Sequence, residues 1–335
     1  IAHGAEIKYS LGGNGAQEAA AVRALGGNVI FVGGLFQNLK KAPPESLRHF
    51  ESSDLSFACK LYHQPVSLIF QTRDTNEYTN RYILCEGKGR RIAQLRGYIR
   101  KLPDILNQIQ QDRGGLDMIS LVGWHVMFAA GINSRDFQLV KDTIEKIREA
   151  TGSPLFTDAG SLAAYSERGR KYLCEIYSLF DYLSVNDEEA VQISETLEAE
   201  AVDEFQAMRD LLDSSENLST IWLHTPEYQV SLSTRHSKKL LEKAQMNAAA
   251  AGVFRVETGR FPNFKELVER ARVRNYSEEG KVAVKKILKE YATTVKGGEL
   301  VATPCFKRRS FFSSVGAGDT ASAAYIYSIV SSSKK

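Results

Sequence analysis

Apolar positions along this chain follow two alternating rhythms. Short runs dominated by apolar residues occur at 29–32 (VIFV), 117–122 (DMISLV), 154–158 (PLFTD), 182–185 (YLSV), 219–224 (STIWLH) and 299–303 (ELVAT). Runs of that length and composition read as strands covered on both faces. Between them, helical spacing is found at about 15–26, 98–111, 134–151, 167–180, 200–213, 238–251, 279–293 and 317–331. Strands alternating with helices predict a mostly parallel, doubly wound α/β sheet flanked by helices.

One stretch breaks the rhythm. From Phe57 to about Ile92, short β-branched or aromatic segments (Val66–Phe70 and Arg81–Leu84) are separated by polar turns. This pattern predicts a small antiparallel β-rich lid inside the α/β chain. Residues 1–15 and 56–97 are therefore assigned to a small lid domain, and 16–55 and 98–335 to the large α/β domain.

Composition narrows the function classes. The 335 residues carry 43 Lys plus Arg against 40 Asp plus Glu, a formal charge of +3, which gives no electrostatic case for a nucleic-acid binder. No apolar run approaches the roughly 20 residues of a membrane span, so the expectation is a soluble, cytoplasmic protein without a membrane partner. Cys59, Cys85, Cys174 and Cys305 form no C-x-x-C pair, so neither a zinc site nor a redox dithiol is expected. A nucleophile elbow with Ser-His-Asp order is lacking, and no early strand leads into G-x-G-x-x-G. Hydrolase and Rossmann dehydrogenase chemistry both lose support.

The richest stretch is Ser314-Val315-Gly316-Ala317-Gly318-Asp319-Thr320, followed by an Ala-rich segment. Gly316 and Gly318 permit a tight turn, and the segment after them starts a helix. Amides at a helix start are unpaired and lie at the positive end of its dipole, so Gly316, Ala317 and Gly318 can hold a phosphoryl group. Asp319, in the first turn, is placed to take the proton of an attacking hydroxyl. A second stretch, Ser184 to Ala190, carries Asn186 and Glu189. Two readings of it stand: a capping box, or a carboxylate facing Mg²⁺ through water. Asp158 is a third candidate, because open α/β sheets bind ligands at strand carboxyl ends.

Together and in this order, these elements resemble the ribokinase-like superfamily of sugar kinases, and within it the ADP-dependent glucokinases and phosphofructokinases. The resemblance runs from about Gly12 to about Tyr325. Gly12-Gly13-Asn14 looks like that family's GGN segment at the sugar, and Asn80-Arg81-Tyr82-Ile83 is similar to its N-R-F-I lid stretch. Asn186 to Glu189 matches N-x-x-E, His224-Thr225 with Tyr228 looks like H-T-x-x-Y near the adenine, and Gly316 to Asp319 matches G-x-G-D. The resemblance implies a ribokinase-like fold and a Mg²⁺-dependent sugar kinase with Asp319 as base. It further implies a substrate site at Gly12, Gly13, Asn14, Asn80 and Arg81. The nucleotide, ADP with ATP as the alternative, would lie by Asn186, His224, Thr225, Val301, Thr303 and Gly318, and the metal by Glu189 and Asp158. One departure is Phe156-Thr157-Asp158, where the family carries H-x-E; the carboxylate is kept and the His is not.

Overall fold

A computed structural model describes residues 14–32, 50, 68–71, 81–84, 88–125, 128, 133–163, 165–197, 203–291 and 298–333. In chain order, helix α1 (Asn14–Ala24) is followed by β1 (Leu68–Gln71), β2 (Arg81–Leu84), α2 (Lys88–Arg113), β3 (Ile119–Ser120), α3 (Ser134–Thr151) and β4 (Leu155–Asp158). Then come α4 (Glu167–Tyr177), β5 (Tyr182–Val185), α5 (Asp187–Thr196), α6 (Glu204–Ser214), β6 (Thr220–His224) and β7 (Tyr228–Ser233). The chain continues with α7 (Lys238–Thr258), α8 (Phe264–Arg272), α9 (Glu278–Tyr291), β8 (Glu299–Pro304) and α10 (Ala317–Ser333).

Strands β3 to β8 form one sheet in sequential order. Neighbours from β3 to β6 pair in parallel, and β7 and β8 add antiparallel. Right-handed crossovers that step steadily in one direction place their helices on one face. That face is the larger apolar layer, where Ile144 of α3, Leu173 of α4, Ile193 of α5 and Met208 of α6 meet Leu183, Ile221, Leu223, Val230 and Leu232. On the other face, α7 and α10 lie over Phe156, Tyr182, Trp222 and Val301. Alanines at 244, 248, 250, 323 and 324 are fully buried there, and such small side chains let helices approach closely.

Helix ends follow local chemistry. Asn133 caps α3 by accepting the Asp136 amide at 2.9 Å, and Gly152 ends it at φ 62°. The lid pattern folds as expected to the extent that β1 and β2 pair antiparallel, Leu68 opposite Leu84. Three expectations are corrected. Helix α2 starts at Lys88, ten residues before the helical spacing read from about 98. Residues 29–32 are not a strand: Ile30 and Val32 pack on the core, and the Val32 carbonyl accepts the Tyr98 hydroxyl at 2.7 Å. Strand β7 and helix α8 complete what the pattern left as connection.

Candidate active site

The carboxyl ends of β4, β5 and β6 share one edge because those strands are parallel. In their register Asp158 lies opposite Ser184, and Ser184 opposite Trp222. Residues Asp158, Asn186 and His224 therefore arrive at that edge together. His224 Nε2 lies 4.0 Å from Asp158 Oδ1. Its ring leans on Trp222 with centroids 4.7 Å apart, and Trp222 in turn stacks on Tyr325 of α10 at 4.5 Å. A β-carbon placed on Gly318 would sit 3.8 Å from His224 Cε1. One imidazole thus spans the strand-end carboxylate and the glycine turn.

That turn has the geometry its glycines predict. Gly316 adopts φ 74°, a region that L side chains rarely enter. Its carbonyl accepts both the amide and the hydroxyl of Thr320, at 3.0 and 2.6 Å, while the Ala317 amide donates to Ser314 O at 3.2 Å. Gly318 is exposed and Asp319 half-buried in the first turn of α10. The glycine turn at the start of α10 thus stands beside His224.

Two further carboxyls crowd Asp158. Burial pushes Glu189 up to about 8, and the charge of Asp158 adds to the rise. Asn186 and Glu189 do form a reciprocal capping box: the Asn186 amide donates to Glu189 Oε2 at 2.9 Å, and the Glu189 amide to Asn186 Oδ1 at 2.8 Å. Glu18 on α1 is also pushed up to about 8, chiefly by burial; a hydrogen bond with Ser120 acts against this, and the charges of Asp158 and Asp319 reinforce it. His125 also feels the charge of Asp158. Burial lowers its basicity, its Nδ1 has no partner, and only a glycine at 160 leaves room for its ring.

These carboxyls have the chemistry of a Mg²⁺ site. Asp158 Oδ1 is buried without a hydrogen bond, and Asp158 destabilises charge on both neighbours, which a dication would relieve. Among the described residues no group of three His, Cys, Asp or Glu is placed to cage a metal.

Solved structures supply the comparison. A phosphofructokinase from Pyrococcus horikoshii, crystallised with AMP, superposes at TM-score 0.73 and 15% identity, covering 96% of this chain and 79% of its own. An ADP-dependent kinase in complex with fructose-6-phosphate and ADPβS gives TM-score 0.70 at 15% identity, covering 97% of this chain and 80% of its own. The chain has the fold of the ADP-dependent, ribokinase-like kinases. The likeness to the broader superfamily is looser: an ATP-bound fructokinase from Xylella fastidiosa gives TM-score 0.50 at 13% identity, over 78% of this chain and 91% of its own. No protein-family model matches the sequence, and no curated protein matches it.

The fold brings together Asp158, Asn186, Glu189, His224, Gly316, Ala317, Gly318 and Asp319. Other candidates sit differently. The Thr225 hydroxyl closes the β6–β7 turn, accepting the amides of Glu227 and Tyr228 at 3.1 and 3.0 Å and donating to Tyr228 O at 3.0 Å. Val301 is buried in the layer under α7 and α10, while Thr303, one row nearer the edge, keeps a buried hydroxyl without a partner. Asn14 is the exposed first residue of α1. Gly12, Gly13 and Asn80 lie outside the described residues, and Arg81 is described as backbone on β2, opposite Gln71. Sequence reasoning missed Glu18. Its signal was an acid inside N-G-A-Q-E-A-A-A, a helix otherwise made of small residues that pack.

Proposed function

We propose that this protein is a kinase that moves the terminal phosphoryl group of ADP to a hydroxyl of a sugar phosphate or sugar. The observation that carries the reading is the juxtaposition of the Gly316–Gly318 turn and Asp319 with His224 and Asp158 at one sheet edge. The fold likeness to kinases described with AMP, or with fructose-6-phosphate and ADPβS, supports it.

In this reading Asp319 accepts the proton of the acceptor hydroxyl as its oxygen attacks the β-phosphorus of ADP. The bond from that phosphorus to the bridging oxygen breaks, leaving AMP and a phosphorylated acceptor. Amides of the Gly316–Gly318 turn hold the phosphoryl oxygens as charge develops on them. Asp158 and Glu189 would hold Mg²⁺, which when bound would neutralise phosphate charge. His224, tilted against Trp222, borders the nucleotide together with Thr303. The Asn14 end of α1 and the strand of Arg81 are assigned to the acceptor, and the β1–β2 hairpin to a lid that excludes water.

The test is a phosphotransfer assay with Mg²⁺ and either ADP or ATP against fructose 6-phosphate, glucose, pentose phosphates and nucleosides. Turnover with ADP and a sugar phosphate is the expected result. Turnover with ATP alone reassigns the donor. Silence with both donors across the panel ends the kinase reading.

A further inference from the structure

Helix α1 buries two consecutive polar side chains, Gln17 and Glu18, each only 5% exposed. Glu18 faces Ser120 and the strand-end carboxylate. Gln17 faces the other half of the site. A β-carbon at Gly316 would lie 1.7 Å from Gln17 Oε1, so the glutamine amide occupies the space that glycine leaves open. The same oxygen accepts from Arg255 Nη2 at 3.5 Å. Arg255, in the last turn of α7, also donates its Nε–H to Val315 O at 3.2 Å and an Nη–H to Gly259 O, with its guanidinium 4.4 Å from the Phe261 ring centroid.

A planar fork bound to two carbonyls and stacked on a ring has little freedom left. It fixes Val315 from one side, and Gln17 fixes Gly316 from another. We propose that Gln17 and Arg255 form a clasp that sets the anion-binding conformation of the Gly316–Gly318 turn, acting as positioning residues for phosphoryl transfer. The proposal rests on the kinase reading above. It adds a consequence: Gln17 is three residues beyond Asn14, so one turn of α1 links the acceptor segment to the phosphoryl turn. Neither residue is asked to touch a reacting atom. A misplacement of the turn by about 1 Å is enough to slow a positioned reaction some 100-fold.

The experiment compares wild type with Gln17→Leu, Arg255→Met and Gln17→Glu, each checked for a wild-type-like thermal transition. Hydrogen–deuterium exchange across 312–321, calorimetric ADP affinity, and kcat and acceptor KM are measured on each. Gln17→Leu and Arg255→Met are expected to speed exchange of the turn at least tenfold and to lower kcat at least tenfold, with acceptor KM within threefold. Gln17→Glu keeps an acceptor for Arg255 and is expected to restore slow exchange, while its charge beside the anion site weakens ADP at least fivefold. Unchanged exchange in both Gln17→Leu and Arg255→Met overturns the clasp, as does fast exchange with normal kcat and ADP affinity. Should the wild type transfer no phosphoryl group, the kinase reading falls, and exchange with ADP affinity still decides whether the clasp orders the turn.

Discussion

The two faces of the central sheet are built from the same strands and do opposite work. Against α3 to α6, the alternate residues Leu183, Ile221, Leu223, Val230 and Leu232 form an apolar layer. Against α1, α7 and α10, the intervening residues include Asp158, Ser184, Gln229, Ser231 and Thr303, threaded between Phe156, Tyr182 and Trp222. That second face spends its polarity on contacts: Trp222 Nε1–H donates to Gln229 at 3.2 Å, and Gln245 donates to Ser231 and to the Val301 carbonyl at 2.8 and 3.0 Å. Toward the carboxyl edge the partners run out, and Asp158 Oδ1, Ser184 Oγ and Thr303 Oγ1 are left buried without one. Unsatisfied polar atoms near the carboxyl edge mark where a ligand or water belongs, and Gln245 Oε1 and Ser322 Oγ, on the helices over the same face, also lack partners. Period-two alternation puts the apolar layer on one side of these strands and the candidate site on the other.

The largest effect should come from the chemical side. Asp319→Asn is expected to lower kcat at least about 100-fold, the range of general-base catalysis, with the thermal transition little moved. Near-normal turnover in that variant would remove Asp319 from its role. The sharpest test of the face comparison uses adjacent residues, Leu223 and His224. Leu223 is fully buried on the apolar face, so Leu223→Ala should cost about 2–5 kcal/mol of stability, with kcat per folded molecule within about twofold. His224→Ala, one residue on, should cost less stability and raise the nucleotide KM several-fold. Matching profiles from chemical denaturation and steady-state kinetics would break the distinction between the faces.

The layering was legible because burial on both faces leaves continuous apolar strands, and caps such as Asn186 announce helix starts. The candidate site was legible at the glycine turn, where a φ of 74° at Gly316 calls for a glycine. Glu18, Gln17 and Arg255 were not, because their meaning lies in contacts across more than 100 residues of sequence: Glu18 with Ser120, and Gln17 with Arg255. At Thr225 the hydroxyl serves a turn that a linear reading cannot close. Strand β7 was overlooked because Tyr228–Ser233 alternates polar with apolar, burying serines and Gln229 where a core strand ordinarily has aliphatics.

A further expected effect concerns the cost of placing charge on this face. Glu18 and Glu189 are both held up to about 8 by burial, while an unfolded chain releases those protons near 4.5. Between these values the folded state binds more protons than the unfolded state, so stability falls as pH rises through the window. Without added Mg²⁺, the thermal midpoint should therefore drop steadily from pH 5 to pH 8. Glu18→Gln keeps the shape of the side chain and cannot ionise. Its midpoint should lie near wild type at pH 5 and above it at pH 8, the gap widening with pH. Saturating Mg²⁺ with nucleotide should narrow the gap at pH 8, because bound charge compensates Asp158 and so relieves its neighbour. Parallel curves for variant and wild type would mean that Glu18 is already charged, and that this face tolerates its carboxylates by solvent rather than by protonation.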